Sequence, residues 1–435
     1  MKVGIWCDYG LTIGPSEGIG VFVDNLARGL VCASPEVRVL LVAHPGQESV
    51  LNSVMSLGLG RIEVTSHVPI STSDKNKIRH LKKIRRLLEL MGSWTSKWRS
   101  SISARIENLE REHSESCQRI ISQADVWMIP YVGLQQDFHK PHVVVVHDLV
   151  SYHFPDMLSK RQMRKLKRLV DRRVAKATMI ACMSEFIRES DLKGILKLPD
   201  SRIRVISAAV PNDPISSSLS PIEPSDSKKT SFAKDLVPSE PYLFFPAAFR
   251  KYKNHKLLIE LIPRLKELNL DSMKIVFTGI RKCPLWLRAA IASYDAQDSV
   301  LILGKVTRCE LATLYRSAFA TVVPSFYEQG SFPLLEALQH QCPAISSDIP
   351  ALREQFAEMG EDMVFFDPYR AESLFSAVRR VHFDRKAIIV AQQNSFARLK
   401  QRKWTDAAQD WLKVFSEVIH IEQEASQGLY NSKAA

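Results

Sequence analysis

Short runs of consecutive apolar residues alternate with amphipathic stretches along most of the chain, the pattern of buried parallel strands joined by helices. Val3 to Cys7 predicts a first strand, Val21 to Val31 a helix, and Val37 to Val42 a second strand. Val126 to Pro130, Val143 to Val146, Met179 to Met183 and Arg204 to Ile206 continue the series. Between Pro211 and Pro241 the pattern stops and Pro, Ser, Asp and Lys dominate, as in an exposed linker. A second series then opens with Tyr242 to Phe245, a helix from about Lys253 to Leu268, and Lys274 to Phe277. Val300 to Leu303, a helix over Glu310 to Ser317, Ala320 to Val323, Ala344 to Ser346 and Met363 to Phe366 follow.

The length of 435 residues exceeds what one core usually reaches, which agrees with two α/β domains. The expected division is 1–210, a linker at 211–240, 241–403, and a C-terminal helix over 404–435 that returns to the first domain. An insertion at about 74–120 interrupts the first domain. Its segment Lys75 to Met91 is strongly basic, with Ile78, Leu81, Ile84, Leu88 and Met91 recurring every three or four residues. Two readings stay open for it: a helix lying on an anionic membrane, or one whose stripe packs on the domain while its basic face is solvated.

A net charge of +12 implies an anionic partner, but no nucleic-acid motif or aromatic platform accompanies it. The seven cysteines are scattered, without a C-x-x-C pair or Cys/His ligand spacing, so neither a disulfide framework nor a zinc site is expected. No run reaches the roughly 18 apolar residues of a membrane span, and the N-terminus reads as a strand rather than a secretory signal. A cytoplasmic location is expected, with peripheral attachment to the inner face of the membrane if the basic helix docks.

Candidate chemistry lies where strands end, because open α/β sheets bind ligands at the carboxyl ends of their strands. Gly10, Gly14, Gly18 and Gly20 separate the first strand from the first helix, where glycines and free helix amides suit an anion. The spacing matches neither G-x-G-x-x-G nor a phosphate loop. His147 and Asp148 follow Val146 directly; Arg250, Lys251 and Lys253 precede the first helix of the second domain, a plausible diphosphate clamp or a solvated basic loop. Glu328 and Glu336 flank Gln329 to Leu335 after the strand Ala320 to Val323, and Pro333 predicts a helix start that puts Glu336 in its first turn.

Together these segments resemble the GT-B retaining glycosyltransferases of family 4, in their bacterial mannosyltransferase-like branch. The most specific element is Glu328 and Glu336, seven residues between them, with Pro324, Ser325 and Pro333, and Cys342 to Ser347 downstream. Gly18 to Phe22, His147 to Leu149, Met183 to Phe186, Phe249 to His255 and Leu303 to Val306 support it in the same order. The resemblance implies two Rossmann-like domains facing across a cleft and transfer of a hexose, with mannose the first choice, from a nucleotide sugar such as GDP-mannose or a UDP-sugar to a saccharide or lipid-linked acceptor in surface polysaccharide synthesis.

It further implies that Glu336 accepts from the donor ribose and Glu328 contacts the donor sugar. Gly330, Ser331 and Phe332 would offer amides, Lys253 and Arg250 would neutralise the diphosphate, and His147 would reach the transferred sugar. Gly18 and Gly20 would approach the phosphates, and Lys305 and Val306 the base. No metal and no cofactor beyond the donor are expected, and no nucleic acid. The chain departs from the family at Gln329 to Phe332, where the usual Gly-Phe-Gly-Leu is absent, and at Ala247 and Ala248, which replace a Gly-Arg pair. A non-catalytic protein that only holds nucleotide sugar is the alternative of a different class.

Overall fold

In a computed structural model the residues described are 1–8, 18–45, 60–91, 95–132, 136–210, 237–279 and 282–434. Gly10, Gly14 and the stretch 211–236 of the expected linker lie outside them. Thirteen strands form two sheets among the described residues. The first comprises β1 (Lys2–Trp6), β2 (Arg38–Ala43), β3 (Ile62–Ser66), β4 (Val126–Ile129), β5 (His142–Val145), β6 (Met179–Cys182) and β7 (Ile203–Val205), in the order β3-β2-β1-β4-β5-β6-β7. The second comprises β8 (Tyr242–Phe245), β9 (Lys274–Phe277), β10 (Val300–Ile302), β11 (Ala320–Val323), β12 (Ala344–Ser347) and β13 (Val364–Phe366), in the order β10-β9-β8-β11-β12-β13. All five pairings of the second sheet are parallel, as are those of β1 with β2 and β4, of β2 with β3, and of β4 with β5. In both sheets the order reverses beside the first strand, the topology of a doubly wound Rossmann-like domain.

The chain divides into two units whose bounds differ from the expected domains. One gathers Met1–Val145, Arg168–Ile180 and Ala408–Ala435, the other Val146–Lys167 and Ala181–Ala407. The stretch carrying His147 therefore groups with the second unit. In the first unit, Trp6, Leu40, Val42, Cys117, Ile121 and Trp127 form a core cluster. Gly4 is there for a steric reason: a Cβ on it would fall 2.4 Å from the Trp127 ring. The C-terminal helix (Trp404–Ala434) contributes Trp411, whose ring lies 6.2 Å from that of Phe22 in α1 (Gly18–Ala33).

The basic insertion folds as two helices, α2 (Thr72–Leu90) and α3 (Ser96–Ile121). Ser71 caps α2 by accepting from the Asp74 amide. The apolar stripe turns inward: Ile78 and Leu88 are buried on α2 and Ile106 on α3. Lys82 pairs with Glu110 across the hairpin at 2.9 Å, and Thr95 Oγ1 donates to the Leu88 carbonyl at 2.8 Å. Met91 does not share that burial; it stays 51% exposed beside Leu87 at 61%, Leu90 at 82% and Trp98 at 70%. No helix among the described residues is long and apolar enough to cross a membrane.

Candidate active site

In the second unit, β8 leads into a tight turn at Lys251–Lys253, and Asn254 takes a left-handed conformation (φ 54°, ψ 38°) before α4 (His255–Leu265) begins. Asn tolerates that region better than most residues, and its side chain is tied down by a 2.9 Å bond from Nδ2 to the Pro368 carbonyl. His255 anchors the helix start, fully buried among Phe245, Phe249, Phe277 and Trp286. Burial pushes its imidazole down to about 3, with Lys253 adding to the effect, so it stays neutral. These constraints hold Lys253 over the loop that follows β11. The Phe326 amide binds the loops together by donating to the Tyr252 carbonyl at 2.8 Å.

Lys253 Nζ donates to Glu328 Oε1 at 2.6 Å, and the Ser325 hydroxyl donates to the same oxygen at 2.6 Å. Glu328 is 8% exposed and Ser325 is fully buried. Burial alone would lower the Lys253 ammonium; the adjacent Glu328 carboxylate outweighs it and raises the group above its ordinary value. An ammonium has three donors, so pairing with Glu328 leaves Lys253 capacity for an anionic ligand. Arg250, assigned a neighbouring role, is exposed and extended, and forms no side-chain hydrogen bond or ion pair among the described residues.

A second group of polar residues meets beside this pair. Asp191, fully buried in a π-helical turn (Arg188–Ile195), accepts from the Tyr327 hydroxyl at 2.6 Å, the Leu149 amide at 2.9 Å and Ser190 Oγ at 2.6 Å. His153 Nε2 lies 2.8 Å from Oδ1, the oxygen that accepts from Ser190. The carboxylate thus fastens the loop after β5 to the residue preceding Glu328. His147, on that loop, is buried and stands 3.3 Å through Nδ1 from Gln329 Nε2. With the amide in this orientation Nδ1 accepts from it. The Gln329 carbonyl oxygen is buried without a hydrogen-bond partner among the described residues. Asp148 is raised by burial, with Glu328 and Asp191 adding to it and Lys253 opposing.

The segment from Gly330 to Glu336 corrects one expectation, the place of Glu336 in its helix. Ser331 caps α6 (Phe332–Gln339), its hydroxyl accepting from the Leu334 amide at 3.3 Å. Phe332 and Pro333 then open the helix, and no acidic residue falls in its first turn. Glu336 lies one turn further in, because the cap sits at Ser331 rather than next to Pro333. Its carboxylate accepts from the Tyr315 hydroxyl at 2.8 Å, on α5 (Arg308–Ser317), which Thr307 and Glu310 start with a capping box. Burial raises the Glu336 carboxyl, while Tyr315 and Arg308 pull it down. Among the amides expected to serve a ligand, that of Ser331 donates to Gln355 Oε1 at 2.6 Å. A ligand oxygen there has to displace the Gln355 side chain, which also lies against Gly330.

Lys305 is exposed after Gly304, whose φ of 78° turns the chain, and Val306 packs on the core edge. Gly18 and Gly20 begin α1 in the first unit, and a Cβ on Gly18 would meet nothing within 4 Å. Sequence reasoning left Tyr327, Asp191, Tyr315 and Gln355 without roles, although Tyr327 stands next to Glu328.

Residues 226–398 match the family described as glycosyl transferases group 1. Over 293 residues the chain is 22% identical to O-antigen chain mannosyltransferase B of Escherichia coli, a span of 66% of this chain and 74% of that protein. Over 238 residues it is 23% identical to O-antigen chain mannosyltransferase RfbU of Salmonella typhimurium LT2, covering 55% and 60% of the two. Among solved structures, sucrose-phosphate synthase from Thermosynechococcus elongatus superposes with a TM-score of 0.66 at 14% identity, over 97% of this chain and 100% of that one. Anabaena HepE in complex with UDP-glucose gives 0.63 at 13% identity, over 96% and 100%. At these identities the structural likenesses bear on the fold.

Proposed function

We propose that the chain, which matches the glycosyl transferases group 1 family over residues 226–398 and shares the fold of GT-B enzymes, is a glycosyltransferase that moves a hexose from a nucleotide sugar to a hydroxyl of a saccharide or lipid-linked acceptor, with retention at the anomeric carbon. Mannose from GDP-mannose is the first choice, ahead of a UDP-sugar, on the strength of the two mannosyltransferase relatives. Both relatives are O-antigen chain mannosyltransferases, which favours a role in surface polysaccharide synthesis.

The observation that carries the reading is the buried Lys253–Glu328 pair with Ser325 beneath it. Lys253, with Arg250 free to swing in, neutralises the leaving diphosphate by side-chain cations in place of a metal ion, the electrostatic contribution expected to dominate. Glu328 and the unpartnered Gln329 oxygen accept from donor-sugar hydroxyls, and His147 lies beside them. Glu336 accepts from the ribose, and the amides of Gly330 and Phe332 serve phosphate or sugar oxygens. Lys305 and Val306 complete the donor contacts of the second unit. Transfer proceeds on the front face, the departing diphosphate helping to deprotonate the acceptor hydroxyl.

The exposed end of the α2–α3 hairpin fits peripheral attachment to an anionic inner membrane surface. Leu87, Leu90, Met91 and Trp98 are exposed there among the exposed cations Lys83, Arg86 and Lys97. The central test is a thermal-shift screen against GDP-, UDP- and dTDP-sugars, followed by transfer assays with the sugar that binds. Lys253→Ala and Glu336→Ala should nearly abolish turnover in folded protein; unchanged turnover defeats the assignment, and binding without any transfer in wild type favours a non-catalytic binder.

A further inference from the structure

In the first unit, four side chains converge where β1 and β3 end. Asp8 follows β1, His67 follows β3, and His113 and Cys117 stand one turn apart on α3. His113 Nδ1 is 2.7 Å from the Val68 carbonyl oxygen and His67 Nδ1 is 3.3 Å from the same atom. With its Nδ1 proton given to that carbonyl, the His113 ring presents Nε2 as the lone-pair nitrogen, the way protein orients metal-binding imidazoles, while His67 Nε2 donates to the Asp8 carboxylate and would exchange that proton for a metal ion. The rings meet edge to face, their centroids 4.7 Å apart. His113 Nε2 lies 3.8 Å from Cys117 Sγ, against an edge of about 3.5 Å for nitrogen and sulfur on one tetrahedral zinc ion. Ligand atoms of His67, His113 and Cys117 all fall within 4.8 Å of one another. Asp8 Oδ2 closes on His67 Nε2, while its Oδ1 is held 2.8 Å from His44 Nδ1. Cys117 is fully buried, His67 is 7% exposed, and the His67 ring stacks on Trp6.

We propose that these residues form a structural site for one zinc ion, bound by His67 Nε2, His113 Nε2, the Cys117 thiolate and an Asp8 carboxylate oxygen. Thiolate with imidazole selects zinc over magnesium or calcium, and four protein ligands leave no open position for chemistry. None of the four is assigned a part in sugar transfer. The ion fastens the ends of β1 and β3 to α3. Binding exchanges the thiol proton for the metal: the S–H bond breaks, a Zn–S bond forms, and one proton leaves to solvent. His113 and Cys117 stand four residues apart on one helix face.

The test uses the full-length chain, stripped with a chelator and titrated with zinc against a metallochromic indicator, and in parallel with cobalt(II). One ion per chain, a thiolate-to-cobalt charge-transfer band in the near ultraviolet and a raised melting temperature are expected. Cys117→Ser should lose the band. Cys117→Ser and His113→Gln should each lose more affinity than the roughly 10–100-fold typical of an outer-shell partner, while Cys309→Ser, at an exposed cysteine outside the group, should change neither. Wild type that takes up no stoichiometric metal overturns the proposal, as does undiminished binding by both ligand variants. Should Cys117→Ser fail to fold, as judged by circular dichroism, His113→Gln decides alone, because His113 is only half-buried.

Discussion

Removing one partner of the Lys253–Glu328 pair should cost far more than removing both. In Lys253→Met the Glu328 carboxylate, 8% exposed, keeps the Ser325 hydroxyl and loses its only ion-pair partner among the described residues. Breaking a buried pair from one side costs about 3–5 kcal/mol. The 21% exposure of the Lys253 side chain lets water relieve part of this and points to the lower end. About 3 kcal/mol corresponds to a melting temperature roughly 6–12 °C lower for a unit of this size. Glu328→Gln strands the ammonium and should cost about 2–3 kcal/mol by the same reasoning. The double variant removes both charges and should lie within about 1 kcal/mol of wild type, a coupling of several kcal/mol in a double-mutant cycle. Denaturant and thermal melts at neutral pH read this out without any substrate. If the double variant loses the sum of the single losses, with coupling below about 0.5 kcal/mol, the pair is not the buried, interdependent unit described. The double variant should nevertheless transfer sugar at least about 100-fold more slowly than wild type, since the diphosphate has lost its cation.

Glu336→Gln tests the raised carboxyl. A group whose folded value exceeds its unfolded one contributes stability that is complete below the unfolded value and lost as pH rises through the folded one. Wild type therefore carries a penalty at pH 7–8 that the Gln variant lacks. The variant should melt higher there, the gap closing as pH falls toward about 4.3, and a gap independent of pH contradicts burial as the cause. Tyr327→Phe removes one bond to the Asp191 carboxylate and should cost about 1.5–3 kcal/mol, read by chemical denaturation; a loss below about 0.5 kcal/mol discounts Asp191 as the fastening point. Replacing Leu87, Leu90, Met91 and Trp98 by Ser should abolish co-sedimentation with phosphatidylglycerol vesicles while leaving turnover on a soluble acceptor intact. Equal sedimentation of variant and wild type removes the hairpin end from membrane attachment.

Twelve of the thirteen strands were legible as apolar runs, because strands covered on both faces need continuous hydrophobicity. β3 was not: Ile62–Ser66 alternates with Glu63 and Thr65, is only partly buried, and sits at the sheet edge. The site was legible where chemistry sits at strand ends, as at His147, Lys253 and Glu328. It was not where side chains from separate loops meet. Asp191 reads as a polar residue in a surface helix, and only the fold brings it to Tyr327 and Leu149. Gln355, which occupies the Ser331 amide, comes from a helix with no motif of its own. Asp8, His67 and His113 likewise gain meaning only together, since 59 residues separate Asp8 from His67.

The turn that carries Asp191 is wound as a π-helix, closed by the Leu196 amide on the Asp191 carbonyl five residues back. Such a turn holds one residue more than an α-helical one, and each residue rotates an α-helix by about 100°. Deleting one residue between Asp191 and Leu196 would let the segment relax to ordinary winding, and everything on one side of the cut would swing by that angle. Either Asp191 and Leu192, both fully buried, would swing together away from their partners, or the residues that follow, leading to β7, would turn by that angle instead. The extra residue thus acts as a phase setting between the polar hub at Asp191 and the chain that runs on from Leu196 into β7.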